Sequence, residues 1–166
     1  MVALIATMVL CLFNCRGQAG DHPLVRQAKD SFGRREYREG RLLLDSLLAS
    51  DSMHVSSNYL MAQLYLLYAD TAYLKYRDRL QEAAAKEEYD IIRLREAMLL
   101  GDKAAEKMIE EAVKKYPRND DLDYIIWLNE MDKGGFAEKA AEASALSGKM
   151  VFSHLPYEAL FYYSMD

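Results

Sequence analysis

The side chains able to do chemistry are few and scattered. His22, His54 and His154 each stand near an expected helix start, where an imidazole caps the helix or faces water. Metal ligation needs ligands clustered at fixed spacing, and these three are far apart. Asn119, Asp120, Asp121 and Asp123 look like the opening of a calcium loop. The central glycine and the distal glutamate of such a loop are missing, and acidic residues are favoured at a helix start by its dipole alone. Glu110–Lys114 and Glu111–Lys115 are spaced i, i+4 in the favourable order and read as a solvated face, not an acid–base pair. There is no glycine-rich phosphate loop and no Gly-x-Ser-x-Gly turn. With no nucleophile paired to a base, the expectation is a protein that is not an enzyme, without cofactor or metal. No cysteine follows Cys11 and Cys15, so the body of the chain holds no disulfide or catalytic thiol.

Tyrosine is the more telling residue. Of 12 in the chain, Tyr59, Tyr65, Tyr68, Tyr73 and Tyr76 fall within one expected helix pair. The plain reading makes them core, flanking the stripe Leu60, Leu64 and Leu67. The functional reading makes them a groove wall, because tyrosine gives large contact area at low entropy cost. Met61, Tyr65 and Tyr68 share one helix face and are the candidate groove residues. Arg93, one of few charges on the first helix of a pair, is the candidate for an acidic partner, with simple solvation as the alternative.

Helices must position all of these. The 166 residues suit one domain, and 51% hydrophobic with 28% charged is enough to build a core rather than a disordered chain. No period-two run is flanked by hairpin turns, so the fold class is all-α. Pro23 opens a first helix, capped by Asp21 or His22, ending before Gly33. A second runs over 36–49, with Tyr37, Gly40, Leu44, Leu47 and Leu48 on one side. Ser56 or Ser57 caps a third, apolar almost all round from Tyr59 to Tyr68, and so central. Residues 72–100 contain no Gly or Pro. They read as two helices, 71–84 and 88–100, with one long helix as the alternative. Further helices follow over 103–116, from Asp120 or Asp121 through Met131, over 136–147 after a Gly134–Gly135 turn, and from Pro156. The last is too apolar for a polar terminal cap. It packs across the array, or a partner covers it, or the chain is a fragment.

The N-terminus is distinct. Val2 to Phe13 is apolar and uncharged, too short for a span of about 20 residues, and matches the core of an export signal. Leu12-Phe13-Asn14-Cys15 resembles a bacterial lipoprotein signal, which implies lipidation at Cys15 and residues 1–15 as the signal. Cleavage after Ala19 is the second reading, and a buried N-terminal helix the third. Residues 16–22 then read as a tether, and 23–166 as the folded domain. A formal net charge of −5 argues against nucleic acid and gives no basic patch for anionic lipid. Membrane contact is expected through the lipid anchor only.

One spacing repeats. Ala105, Ile109, Ala112 and Pro117 repeat the steps of four, three and five residues seen in Gly40, Leu44, Leu47 and Ser52. Ala62 lies 34 residues after Ala28. Fixed-period similarity of this kind signals a helical repeat array. On these residues the chain resembles the tetratricopeptide-repeat proteins over about 22–150. Gly101-Asp102 stands at the family's turn, Tyr37 and Tyr65 match in the earlier units, Trp127, Gly135, Phe136 and Ala140 match with a one-residue shift, and Arg93 stands at a normally small position. The resemblance implies a right-handed solenoid of about four antiparallel helix pairs plus a C-terminal helix, whose concave groove binds a protein or peptide partner. With the lipoprotein-like start, it implies an exported scaffold of the bacterial envelope, periplasmic or anchored to the outer membrane. The alternative function is a ligand-binding or sensory module with an aromatic pocket in the second pair.

Overall fold

The structure, a computed structural model, describes residues 21–131, 133 and 136–165. Cys15, the cleavage position at Ala19, most of the 16–22 tether and the Gly134–Gly135 turn lie outside these residues. Nine helices and no strand occur among the described residues, so the chain is all-α. They are α1 (Pro23–Gly33), α2 (Tyr37–Ser50), α3 (Val55–Leu67), α4 (Tyr73–Glu82), α5 (Lys86–Leu99), α6 (Ala105–Lys115), α7 (Asp120–Met131), α8 (Phe136–Ser147) and α9 (Leu155–Tyr163). Each helix packs on the next, and α3 also meets α5, as α5 meets α7. No described helix is long and apolar enough to cross a membrane.

Side-chain caps open α1 and α3, the second not at the expected residue. The His22 ring accepts from Leu24 N–H at 3.2 Å and caps α1. Asp21 is ion-paired to Lys29, so the last two residues of the expected tether are fixed to the fold. On α3 the cap is His54, whose Nδ1 accepts from Ser57 N–H, rather than Ser56 or Ser57. The chain turns into α3 earlier than expected because Asn58 Nδ2 ties the turn, donating to the carbonyls of Ser52 and His54 at 3.0 Å.

Helix ends share one device. At Arg35, Ala69, Ala84 and Gly101 the backbone is left-handed, with φ of 64°, 49°, 54° and 63°. The next N–H in each case returns to a carbonyl five residues back: Glu36 to Ser31, Asp70 to Tyr65, Ala85 to Leu80, Asp102 to Ala97. This double turn satisfies carbonyls that a helix end leaves open. Glycine is its usual residue, and three of the four positions lack one. The turn at Ala84 separates α4 from α5, so residues 72–100 are two helices.

Helix α3 is central, with eight residues buried on several sides. Met61 is one of them, fully enclosed in the main core, so it lines no groove. Its expected face is covered because α3 has neighbours on both sides. Gly40 lets α2 approach α1: a Cβ there would stand 2.4 Å from the Phe32 ring. Arg93, expected at a normally small position, faces water, and its neighbour Leu94, seven residues before the left-handed Gly101 as Ala28 is before Arg35, is the buried one. The shift arises because Gly40 follows its turn residue, Arg35, by five residues, whereas Ala105 follows Gly101 by four.

The C-terminal segment packs across the array. Phe152 stacks on Phe32 with centroids 5.1 Å apart, and Glu158 pairs with Arg35 at 3.3 Å. Further along, Tyr163 lines a cleft with Leu66, Met98, Leu99 and Tyr124, from α3, α5 and α7.

Candidate functional site

Helix α2 begins where α3 ends, and the two termini form an open groove of about 440 Å³. Tyr37, Arg38 and Arg41 come from the first turns of α2, and Leu64, Tyr65 and Tyr68 from the end of α3, with Asp70 closing one end. Packing behind the groove fixes the aromatic wall. Tyr65 stacks on Tyr76 of α4 at 5.6 Å, nearly parallel. Tyr37 meets the Tyr68 ring edge-on at 6.0 Å and leans on Phe32 at 6.5 Å. Tyr68 itself stands 61% exposed, which leaves the groove open along one side. An exposed aromatic ring held by aromatic neighbours is pre-ordered for contact, so little side-chain entropy is left to lose on binding.

The tyrosine hydroxyls at and behind the groove are shifted upward. Burial pushes the Tyr37 hydroxyl up to about 12, with Glu158 and Tyr68 adding to the effect. Burial likewise raises Tyr76 to about 12, with Tyr65 and Asp45 contributing. Both phenols therefore stay protonated at neutral pH. The Tyr37 oxygen lies 2.5 Å from His154 Nε2. Asp70 is committed to its own turn, accepting from Ala72 N–H at 2.8 Å. Arg38 and Arg41 lie exposed at the rim, and Arg41 has only a long contact to Asp45 at 3.8 Å.

The four groove residues expected from the sequence therefore separate. Tyr65 and Tyr68 come together, Met61 lies in the core, and Arg93 lines a different cleft between α5 and α6. The charges of that second cleft are already paired, within it or with neighbouring residues. Asp90 accepts from Lys115 and from the Tyr116 hydroxyl, both at 2.7 Å, and Arg93 reaches Glu96 at 3.5 Å. Lys115 thus pairs with Asp90 and Glu111 with Lys107, in place of the expected Glu111–Lys115 contact.

Tyr37, Arg38 and Arg41 were missed as site residues. Their signal was a tyrosine followed by two arginines at the start of α2. It gains meaning only once α2 is known to begin beside the end of α3.

The acidic run after Asn119 serves the fold. Asn119 Oδ1 accepts from Leu122 N–H at 2.9 Å, and Asp123 pairs with Lys149 at 3.2 Å. Asp121 accepts from Tyr59 at 2.6 Å and from Gln63 at 2.8 Å, which ties α7 to α3. Burial first, then the Asp121 charge, raises the Tyr59 hydroxyl well above its ordinary value. Among the described residues no three His, Cys, Asp or Glu side chains are grouped to hold a metal.

No protein family, curated protein or solved structure matches this chain.

Proposed function

We propose that the chain is a tetratricopeptide-like right-handed solenoid acting as a non-catalytic protein-interaction scaffold of the bacterial envelope. It holds a peptide or a partner helix in the groove between α2 and α3. The observation that carries this is the tyrosine wall of Tyr37, Tyr65 and Tyr68, open to solvent and rimmed by Arg38 and Arg41. Tyrosine and arginine are the side chains enriched where partners bind. The solenoid reading is supported by the turn residues Arg35 and Ala69, which are 34 residues apart, and by the contacts of α3 with α5 and of α5 with α7. Export and a lipid at Cys15 rest on the apolar N-terminal run alone. The groove is lined by the second helix of one pair and the first helix of the next, so the partner site proposed here includes α2.

Openness favours a polypeptide over a small ligand, since small-molecule sites bury 70–90% or more of a drug-sized occupant, as a rough guide. The test is co-purification of a tagged chain from its host after reversible cross-linking. One stoichiometric protein partner is expected, lost with Tyr68→Ala and kept with Val113→Ala. Equal recovery with both variants would remove the groove from the account.

A further inference from the structure

The C-terminal segment is held to the first helix pair by an unusual contact. His154 is only 6% exposed, and its ring lies between Tyr37 of α2 and Phe152, with centroids at 5.6 and 6.4 Å. Nε2 is 2.5 Å from the Tyr37 oxygen, while Nδ1 is buried with no hydrogen-bond partner among the described residues. A neutral ring tolerates this better than an imidazolium, which would carry two N–H donors with one acceptor between them.

We propose that His154 is an acid-released latch. In its neutral form it holds residues 150–163 on α1 and α2, and on protonation it lets that segment come away. The charged groups facing the ring are Glu158 on α9, 3.9 Å from Nε2, and Arg35 from the α1–α2 turn; Tyr37 is the titratable group on α2. Arg35 and Glu158 pair with each other at 3.3 Å, so the carboxylate is a divided counter-ion for an imidazolium. Burial lowers the folded-state value of His154 below its ordinary 6.5, with Glu158 opposing and Arg35 reinforcing the shift. A base whose value is lowered on docking stabilises the docked state fully above 6.5 and progressively less as pH falls below it. Tyr37 also walls the groove against Tyr68, so release alters the groove. That consequence rests on the groove reading; the latch does not.

The test is amide hydrogen exchange on the full chain between pH 7.5 and 5, corrected for intrinsic exchange. Opening of 150–163 should rise by up to about tenfold per pH unit below the ordinary histidine value, for one proton taken up. Helix α3 should keep its protection, and the single Trp127, buried and donating to the Lys139 carbonyl, should keep its emission. His154→Gln should abolish the pH dependence although His22 and His54 remain in the chain. Tyr37→Phe, which removes only the hydroxyl, should raise opening already at pH 7.5. Constant protection of 150–163, loss in step with α3, or unchanged titration in His154→Gln would overturn the latch. A partner still bound by Tyr68→Ala would overturn the groove alone.

Discussion

Helices α3 and α6 solve opposite problems. Helix α6 fully buries only Ile109 and Ala112, with Met108 half-buried beside them, in a small core cluster set apart from the main one. Helix α3 buries residues on several sides and connects the pairs before and after it. A helix with one buried stripe displays a clear periodic pattern, and a helix surrounded by neighbours loses it. The unit whose spacing resembles a repeat most closely is therefore the thinly packed one. The candidate binding surface lies where the pattern is weakest, because tyrosines there serve both core and groove.

The contrast is broken most directly at the two cores. Met61→Ala should cost about 2–5 kcal/mol in denaturant unfolding, since no neighbour can close over the site. Ile109→Ala should fall at the low end of that range, about 2 kcal/mol. Equal losses would mean that α6 is as firmly held as α3. Next in size is Gly40→Ala, where the new methyl meets the buried Phe32 ring and should cost about 1–3 kcal/mol by overpacking. At the matching Ala105 the methyl is already accommodated, and Ala105→Gly should cost only about 0.5–1 kcal/mol of helix propensity. A thermal melt of each variant separates the two.

A smaller effect of opposite sign is expected at the α4–α5 turn. Ala84 adopts a conformation that costs a non-glycine residue about 1–2 kcal/mol. Ala84→Gly relieves this but frees the unfolded chain, leaving a gain of roughly 0.5–1 kcal/mol. A loss of stability on that change would show that the alanine is not strained. Val113→Ala, on the exposed side of α6, should stay within about 0.5 kcal/mol of the parent and marks the floor of the series.

These same residues explain what could be read from the sequence. The all-α class, the start of α1 at Pro23 and the central place of α3 follow from local rules that need no tertiary knowledge. The break at Ala84 rested on weaker ground, because a left-handed alanine carries no mark in sequence as a glycine does. Arg93, and not its buried neighbour Leu94, was singled out because the step from Gly101 to Ala105 is one residue shorter than the step from Arg35 to Gly40. Met61 was placed on a groove face because helical spacing gives direction but not which neighbour covers it. Tyr37 and the two arginines needed the three-dimensional meeting of one helix start with another helix end. His154 looked like a surface or capping residue. Its burial comes from the return of the C-terminal segment, 117 residues from Tyr37, which no local signal announces.

The central claim is that the tyrosine groove is where a partner sits. The most direct measurement places a photo-reactive phenylalanine analogue at position 68 in the full chain, with position 113 as the reference, and illuminates the host cells. The account predicts one discrete protein adduct from position 68, none from 113, and loss of the adduct when Tyr65→Ala is added. No adduct at 68, or the same adduct from both positions, would contradict it.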